Sequence, residues 1–322
     1  MNSPNRFLLA IMICLWIVTL INFVNASIVI EVNRTNNAFP IEYIGAFDTE
    51  NFTGLAEISV GDTADFSYTF LGPFWQPSST NFRRSVVGFR ILNTSLEFMF
   101  DGFRHVTSDG VLTIGAAPGT IFARRFSSFL LAPLSDMQSV IVLNPINVTA
   151  YAYGGQIYYT GAIRDDRGLW VVNGSIQVGG GVDDVDRSTA CRIEFGGYDL
   201  LRRPQVPGGV MMDFGEILAR RNISLYRLTE AEYLDRLPPI EYRIIDQDAR
   251  EIQVSSLEPR EYIGNTNPYE HNPTLLLTDH GSYMTPPTPI VFPGSITKDV
   301  VLHFDIQNNR IGFGEPLIEL TH

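Results

Sequence analysis

Residues 304–313 read Phe-Asp-Ile-Gln-Asn-Asn-Arg-Ile-Gly-Phe, and three other stretches precede them in a set order. These are Tyr153-Gly-Gly-Gln156 with Tyr158-Tyr-Thr-Gly161, Gly168-Leu-Trp170 with Ser175-Ile-Gln-Val-Gly-Gly180, and Val210-Met-Met-Asp-Phe-Gly-Glu-Ile-Leu218. Each stretch alone is weak, since an Asp next to a Gly, for example, is most often a turn. Their order along the chain decides the fold prediction.

In this order the stretches resemble the second lobe of the pepsin-like aspartic proteases. Residues 210–218 stand where that family has Ala-Ile-Val-Asp-Thr-Gly-Thr-Ser-Leu-Leu, and residues 304–313 resemble its closing motif. A thinner resemblance to the first lobe runs through Ile58-Ser-Val-Gly61, Phe66, Trp75-Gln-Pro-Ser78 and Ser108 to Gly115. The resemblance covers about Ala56 to Pro316. It implies an all-β, bilobal fold with few short helices, in which two β-barrel-like lobes surround a central cleft.

Three segments are predicted along the chain. Residues 1–26 contain Arg6 and an apolar run from Phe7 to Leu20 that continues to Val24, followed by small residues at Val24-Asn-Ala26. This pattern is typical of a cleaved secretory signal, although the run is also long enough for an uncleaved membrane anchor. Residues 27–153 form the predicted N-terminal lobe and residues 154–322 the C-terminal lobe. Either fate of the leader places the chain in the endomembrane lumen or outside the cell.

Composition agrees with a globular β protein. Charged residues make up 18% of the chain and aromatic residues 11%, with frequent Gly and Pro. The net charge of -12 excludes nucleic acid as an expected partner, because phosphate binding needs clustered Lys and Arg. Alternating apolar residues predict strands, and a helical pattern appears only twice. The strands are Leu55–Gly61, Phe66–Phe70, Val111–Gly115, Val140–Leu143, Trp170–Val172 and Ile240–Ile245, and the helices are Gly215–Arg221 and Thr229–Arg236.

The resemblance implies a catalytic site of two Asp residues, one on a tight Asp-Thr-Gly turn of each lobe. Two carboxylates a hydrogen bond apart share one proton, so one acts as base and the other as acid on a bound water. In the second lobe Asp213 and Gly215 match the Asp and Gly of that turn, with Phe214 in place of Thr. Asp213 is therefore predicted as the surviving catalytic Asp, inactive on its own.

The first lobe has no matching Asp. Phe66–Phe70 resembles the strand before it and Trp75 the Trp after it, so the catalytic position falls on Leu71, followed by Gly72. The sequence contains no Asp or Glu from Phe66 to Leu96. The stretch from Asn81 to Gly102 also lacks both the Tyr-Gly turn of the family's flap and the length for both flap strands. The first lobe is thus predicted to be shortened and without a flap.

Glycosylation motifs support a secretory route. Asn-x-Ser/Thr occurs seven times, at Asn25, Asn33, Asn51, Asn93, Asn147, Asn173 and Asn222. Composition predicts about two or three by chance. Outside the leader, Cys191 is the only cysteine of the chain, which leaves it either buried and inert or paired with another chain.

These observations favour a secreted, non-catalytic relative of pepsin that binds a peptide or protein in its cleft. The alternative is an active aspartic-type endopeptidase with a rearranged first lobe, using Asp48 or Asp65 as the second acid. A structural role with an unused cleft is a third reading. The five His residues show no metal-ligand spacing, so neither a metal nor a cofactor is expected. Membrane contact is expected only if the leader stays attached.

Overall fold

The structure is a computed structural model that describes residues 27–33, 38–70, 83–107, 110–135, 137–164, 170–179, 188–195, 205–224, 236–264, 274–279, 290–292 and 300–317. The predicted leader, residues 1–26, lies outside these ranges. Within them, no helix is both long enough and apolar enough to cross a bilayer.

A central antiparallel sheet of six strands draws on both halves of the chain. In spatial order its strands are Tyr158–Gly161 (β10), Arg310–Gly314 (β22), Val301–Asp305 (β21), Ser128–Pro133 (β8), Gln138–Leu143 (β9) and Ile28–Asn33 (β1). Residues 129–133 of β8 and 140–143 of β9 are apolar and buried, and β21 is buried throughout although it includes His303 and Asp305. Such continuous apolar runs are typical of strands covered from both sides.

The first-lobe sheet continues from β1 through one hairpin pair, Asn33 with Ala38. In spatial order its strands are Glu97–Val106 (β6), Arg84–Ile91 (β5), Ala38–Gly45 (β2), Phe52–Ser59 (β3), Gly110–Gly115 (β7) and Phe66–Phe70 (β4). Strands β3 and β7 run parallel, and β4 pairs with β7 in the antiparallel sense.

The second-lobe sheet is separate. Its strands are Glu251–Leu257 (β16), Ile240–Ile245 (β15), Trp170–Val178 (β12), Ser188–Phe195 (β13) and Ile290–Val291 (β20), with Ile163–Arg164 (β11) paired to β12. Two small pairs complete the lobe: Gln205–Val206 (β14) with Thr278–Asp279 (β19), and Ile263–Gly264 (β17) with Thr274–Leu275 (β18).

Helices are few and short in the described part of the chain. They are Ile121–Arg125 (α1), Gly208–Arg220 (α2) and Pro259–Tyr262 (α3), with 3-10 turns at Val148–Tyr151 and Tyr153–Gly155. Thr120 caps α1 by accepting the backbone N–H of Ala123, and Glu258 and Glu261 form a capping box at α3. Both features are standard ways of satisfying the free N–H groups at a helix start.

Aromatic rings connect the two lobes through the central sheet. From the first lobe to the second, centroids follow one another at 6.4, 5.6, 4.7 and 5.4 Å for the pairs Phe98–Phe122, Phe122–Phe129, Phe129–Phe304 and Phe304–Trp170. The indole N–H of Trp170 also donates to the carbonyl of Ala116, at 3.4 Å. Since each such ring pair adds about 0.5–1.5 kcal/mol beyond area burial, this chain of rings is a sizeable link between the lobes.

The predicted strands are confirmed, and the prediction of few short helices holds for the described residues. Helix α2 begins at Gly208, seven residues before the predicted start at Gly215. The second predicted helix, 229–236, lies outside the described residues except for its last residue. The correction at α2 bears directly on the predicted catalytic site.

Candidate functional site

The first-lobe position predicted at Leu71 and Gly72 lies just beyond the described residues. The strand expected to precede it is present: β4 ends at Phe70, which is paired with Gly110 of β7. Leu71 and Gly72 therefore directly follow a strand end in the sequence, as the predicted turn requires.

Asp213 occupies a different setting from the predicted turn. It lies inside helix α2, whose buried residues are Val210, Phe214 and Ile217. This spacing places one apolar face of the helix against the second lobe. Phe214 is 1% exposed and its ring meets that of Tyr262 edge-on at 5.6 Å. The expectation of an Asp-Thr-Gly-like turn at residues 213–215 is therefore wrong.

Gly215 gives independent support for this correction. The turn in the family needs Gly because two loops approach each other closely there. Among the residues that the structure describes, a Cβ added at Gly215 would meet no atom within 4 Å. Gly215 is an exposed residue in the second half of a helix, and no described neighbour requires a glycine there.

The start of α2 packs beside the start of β13. A Cβ added at Gly209 would lie 3.0 Å from the hydroxyl oxygen of Thr189, the second residue of that strand. The strand then runs six residues further to Phe195, which is about 20 Å at about 3.3 Å per residue. Helix α2 thus begins at the opposite end of β13 from Phe195.

Phe195 is the residue at the strand end in the second lobe. It is 3% exposed, and its ring centroid lies 4.7 Å from that of Phe292 and 5.3 Å from that of Phe313. Beside it, β13 pairs in parallel with β20, Ile193 with Ile290. The position is an aromatic contact between second-lobe strands and the central sheet.

Sequence reasoning missed Phe195 because it searched for a carboxylate. The sequence did contain a signal for this position. Gly196-Gly197 follows the alternating stretch 188–195, and paired glycines after a strand indicate a turn. Residues 196–204 lie outside the described ranges. The end of a strand is therefore a better sequence marker of the position of Phe195 than an acidic residue.

The structure also corrects the prediction that the interval from Asn81 to Gly102 is too short for two strands. Strands β5 and β6 form an antiparallel hairpin in residues 84–106, with Arg84 opposite Val106 and Arg90 opposite Glu97. The chain therefore has room for two paired strands there. The hairpin pairs with β2, and at its tip the N–H of Leu92 donates to the carbonyl of Pro40.

A buried polar cluster lies on the other face of the central sheet. The hydroxyl of Tyr159 is 2.8 Å from Nδ1 of His303, while Nε2 of His303 is buried and has no hydrogen-bond partner among the described residues. Burial lowers the pKa of His303 to about 4, and Asp305 and Arg310 act on it in opposite directions. Arg310 in turn bonds Asp305 at 2.7 Å and covers the ring of Tyr159. The imidazole is therefore neutral at neutral pH.

The remaining predicted residues are placed as follows. All six sequon asparagines after the leader are exposed: Asn33, Asn51, Asn93, Asn147, Asn173 and Asn222.

Cys191 is partly buried, and burial raises the pKa of its thiol to about 12, which favours the hypothesis that this cysteine is inert. Among the described residues, no group of three or more His, Cys, Asp or Glu side chains is arranged to hold a metal ion.

Comparisons with known proteins place the fold. No family model matches the sequence, and no curated protein matches it. The structure is similar to the crystal structure of an aspartic proteinase from Irpex lacteus, with a TM-score of 0.54 and 14% sequence identity. The similarity covers 91% of this chain and 98% of that chain. At this identity the likeness shows the fold alone: the chain has the all-β, two-lobed fold of the pepsin-like aspartic proteases.

Proposed function

We propose that this chain is a secreted, glycosylated protein that uses a protease fold to bind peptides or proteins without cleaving them. The observation that carries the proposal is Phe195, a buried aromatic residue at the strand end of the second lobe. The first lobe has Leu71 at the corresponding place in the sequence. Neither residue can take up or release a proton.

The chemistry of peptide cleavage in this fold needs two carboxylates to activate one water. A Phe ring has no group that could take a proton from a water and so cannot activate it. The neighbours of Phe195 are themselves the rings of Phe292 and Phe313. The two aromatic rings beside this position also disfavour the charged form of an acid placed there, because they cannot solvate it.

The sequence after Phe195 supports this assignment. If Phe195 takes the Asp position of the Asp-Thr-Gly-Thr-Ser-Leu-Leu pattern, Gly197 falls on its Gly and Leu200-Leu201 on its closing Leu pair. We infer that the second catalytic position is Phe195 and that Asp213 belongs to the helix that follows. Both acids are then absent.

The active-endopeptidase alternative gains no support from the described residues. Asp65 accepts the backbone N–H of Ile121 and so helps to hold the start of α1. Asp48 lies on an exposed turn with a positive φ of 64°. Neither setting resembles that of two carboxylates that share one proton.

This fold can bind a ligand in its cleft without the two catalytic acids. An extended peptide lying in a cleft between β lobes is held by backbone hydrogen bonds and side-chain pockets. Those contacts do not depend on the dyad. The net charge of -12 argues against nucleic acid as the ligand, as noted above.

A peptide-capture experiment tests the binding role. The immobilised, secreted full-length chain is incubated with a tryptic digest of a complex proteome, and retained peptides are identified by mass spectrometry. A matched variant, Thr69→Trp, adds bulk at an exposed residue near the end of β4, two positions before Leu71 in the sequence. Thr53→Trp, at an exposed position on β3, is the control.

We expect a defined peptide set that is retained by the chain and by Thr53→Trp and reduced at least several-fold by Thr69→Trp. If no peptide is enriched over a heat-unfolded sample, the binding role is wrong. If both Trp variants retain the same peptides, binding takes place away from the cleft.

A further inference from the structure

A surface groove opens where β1 and β2 separate. The two strands share a single pair, Asn33 with Ala38, after which β1 follows β9 and β2 follows β3 and β5. The space left between them has a volume of about 1070 Å³. The hairpin tip at Leu92–Asn93 and the β8–β9 turn around Met137 form its other walls.

Most of the described residues that line this groove are apolar. Three exposed apolar side chains face it, Val29 at 49%, Leu55 at 41% and Met137 at 70% exposure. Glu31 is the one charged residue among the groove residues that the structure describes. Such a surface suits a neutral occupant that has both apolar faces and hydrogen-bonding groups.

Two glycosylation motifs open onto this same groove. Asn33, the first residue of the Asn33-Arg34-Thr35 motif, is the last residue of β1, and Asn93-Thr94-Ser95 lies between β5 and β6. Both asparagines line the groove and are exposed. Asn93 has a φ of 60°, and the hydroxyl of Thr94 donates to the carbonyl of Ile91 at 2.8 Å, so the turn holds Asn93 outward at the tip.

We propose that N-linked glycans on Asn33 and Asn93 lie in this groove and cover its apolar lining. The inference rests on the secretory route in the proposed function, since the attachment takes place there. The sugar rings are neutral, present C–H faces to Val29, Leu55 and Met137, and present hydroxyls to Gln138 and Ser135. Two attachment points on the rim keep the local sugar concentration high.

The attachment is a balanced group transfer. A bond forms between the anomeric carbon of the first sugar and Nδ2 of the asparagine. The bond from that carbon to the pyrophosphate of a lipid-linked oligosaccharide donor breaks, and the lipid pyrophosphate leaves. The amide nitrogen loses one proton. The consequence for this protein is that the groove is closed to peptides, which leaves the inter-lobe cleft as the ligand site.

The rate of methionine oxidation tests whether glycans cover the groove, because exposed methionines outside the groove serve as controls in the same chain. Met137 lies in the groove, whereas Met99 on β6 and Met212 on α2 are 54% and 71% exposed and do not line it. The full chain is secreted from eukaryotic cells as wild type, as Thr35→Ala/Ser95→Ala, which keeps both asparagines, and as Ser224→Ala, which removes only the Asn222 motif. Sequon occupancy and peroxide oxidation rates are read by peptide mass spectrometry.

We expect Met137 to oxidise at least about three-fold more slowly in the wild type and in Ser224→Ala than in the double variant, with Met99 and Met212 unchanged. Equal Met137 rates with both glycans present would overturn the coverage. Empty Asn33 and Asn93 beside occupied Asn51, Asn147, Asn173 or Asn222 would also overturn it and leave the proposed function standing. No occupied sequon at all would overturn both this inference and the secretory part of the proposed function.

Discussion

The ring of Phe195 lies 4.7 Å from the ring of Phe292, and beside them the backbone N–H of Phe292 donates to the carbonyl of Glu194 at 2.8 Å. These contacts join the end of β13 to the residue that follows β20. They anchor an apolar side chain at the position that we propose as the second catalytic position.

Replacing Phe195 with Asp is expected to destabilise the chain without creating activity. Truncating a buried Phe costs about 3–5 kcal/mol, and the new carboxyl is surrounded by aromatic rings. Phe195→Leu, which keeps the site apolar, is expected to cost less than half as much. Urea unfolding at neutral pH measures both variants. A loss below about 1 kcal/mol for Phe195→Asp would show that the position is solvated and would contradict its assignment to the core.

The Gly215→Ala substitution distinguishes a helix from a turn at residues 213–215, where the catalytic turn is predicted. In the second half of α2, with no atom within 4 Å of the added Cβ, alanine is expected to stabilise the chain by about 0.5–1 kcal/mol. At a tight turn that needs glycine, the same change would destabilise the chain instead. The midpoint of urea unfolding gives the sign directly. A lower midpoint for the variant would mean that residues 213–215 form a turn.

Acid is expected to weaken the fold through His303. Its pKa is about 4 in the folded chain because of burial, against about 6.5 when unfolded. Below about pH 6.5 the unfolded chain binds a proton that the folded chain refuses until about pH 4, so stability falls across that window. The full contribution is on the order of 3 kcal/mol.

The groups facing His303 set the control for this prediction. They are Tyr159 from β10, Asp305 from β21 and Arg310 from β22. Hydrogen bonds from Asn308 and Arg310 outweigh burial and hold the pKa of Asp305 below its usual value, so Asp305 titrates at lower pH than the window. His303→Gln should therefore flatten the fall in unfolding free energy between about pH 6.5 and 4. An unchanged slope in His303→Gln would assign the acid sensitivity to other groups.

Local signals in the sequence predicted most of the fold. Strands Phe66–Phe70 and Ile240–Ile245 match the structure residue for residue, because alternating apolar residues and the turns beside them are properties of neighbouring residues. The start of α2 was missed since Gly208-Gly209 reads as a turn, although it lies at the first turn of a helix. The β5–β6 hairpin was missed because its length was compared with a family pattern.

The candidate site was harder to predict, for a physical reason. Phe195 has its role through contacts with Phe292 and Phe313, which are remote in sequence and carry no motif. Tyr159 and His303 are likewise 144 residues apart. The groove that joins Asn33 to Asn93 exists only because β1 leaves β2 after one pair. Such long-range relationships follow from topology, which a single sequence does not display.

The most direct test of the central claim is cleavage of a denatured protein across the acid range by the secreted chain and its Asp213→Asn variant, each with and without pepstatin. If both acids are absent, as proposed, no cleavage above a protein-free blank is expected in any of the four samples. Pepstatin-sensitive cleavage by the wild type that disappears in Asp213→Asn would contradict the claim, because Asp213 would then act on the substrate.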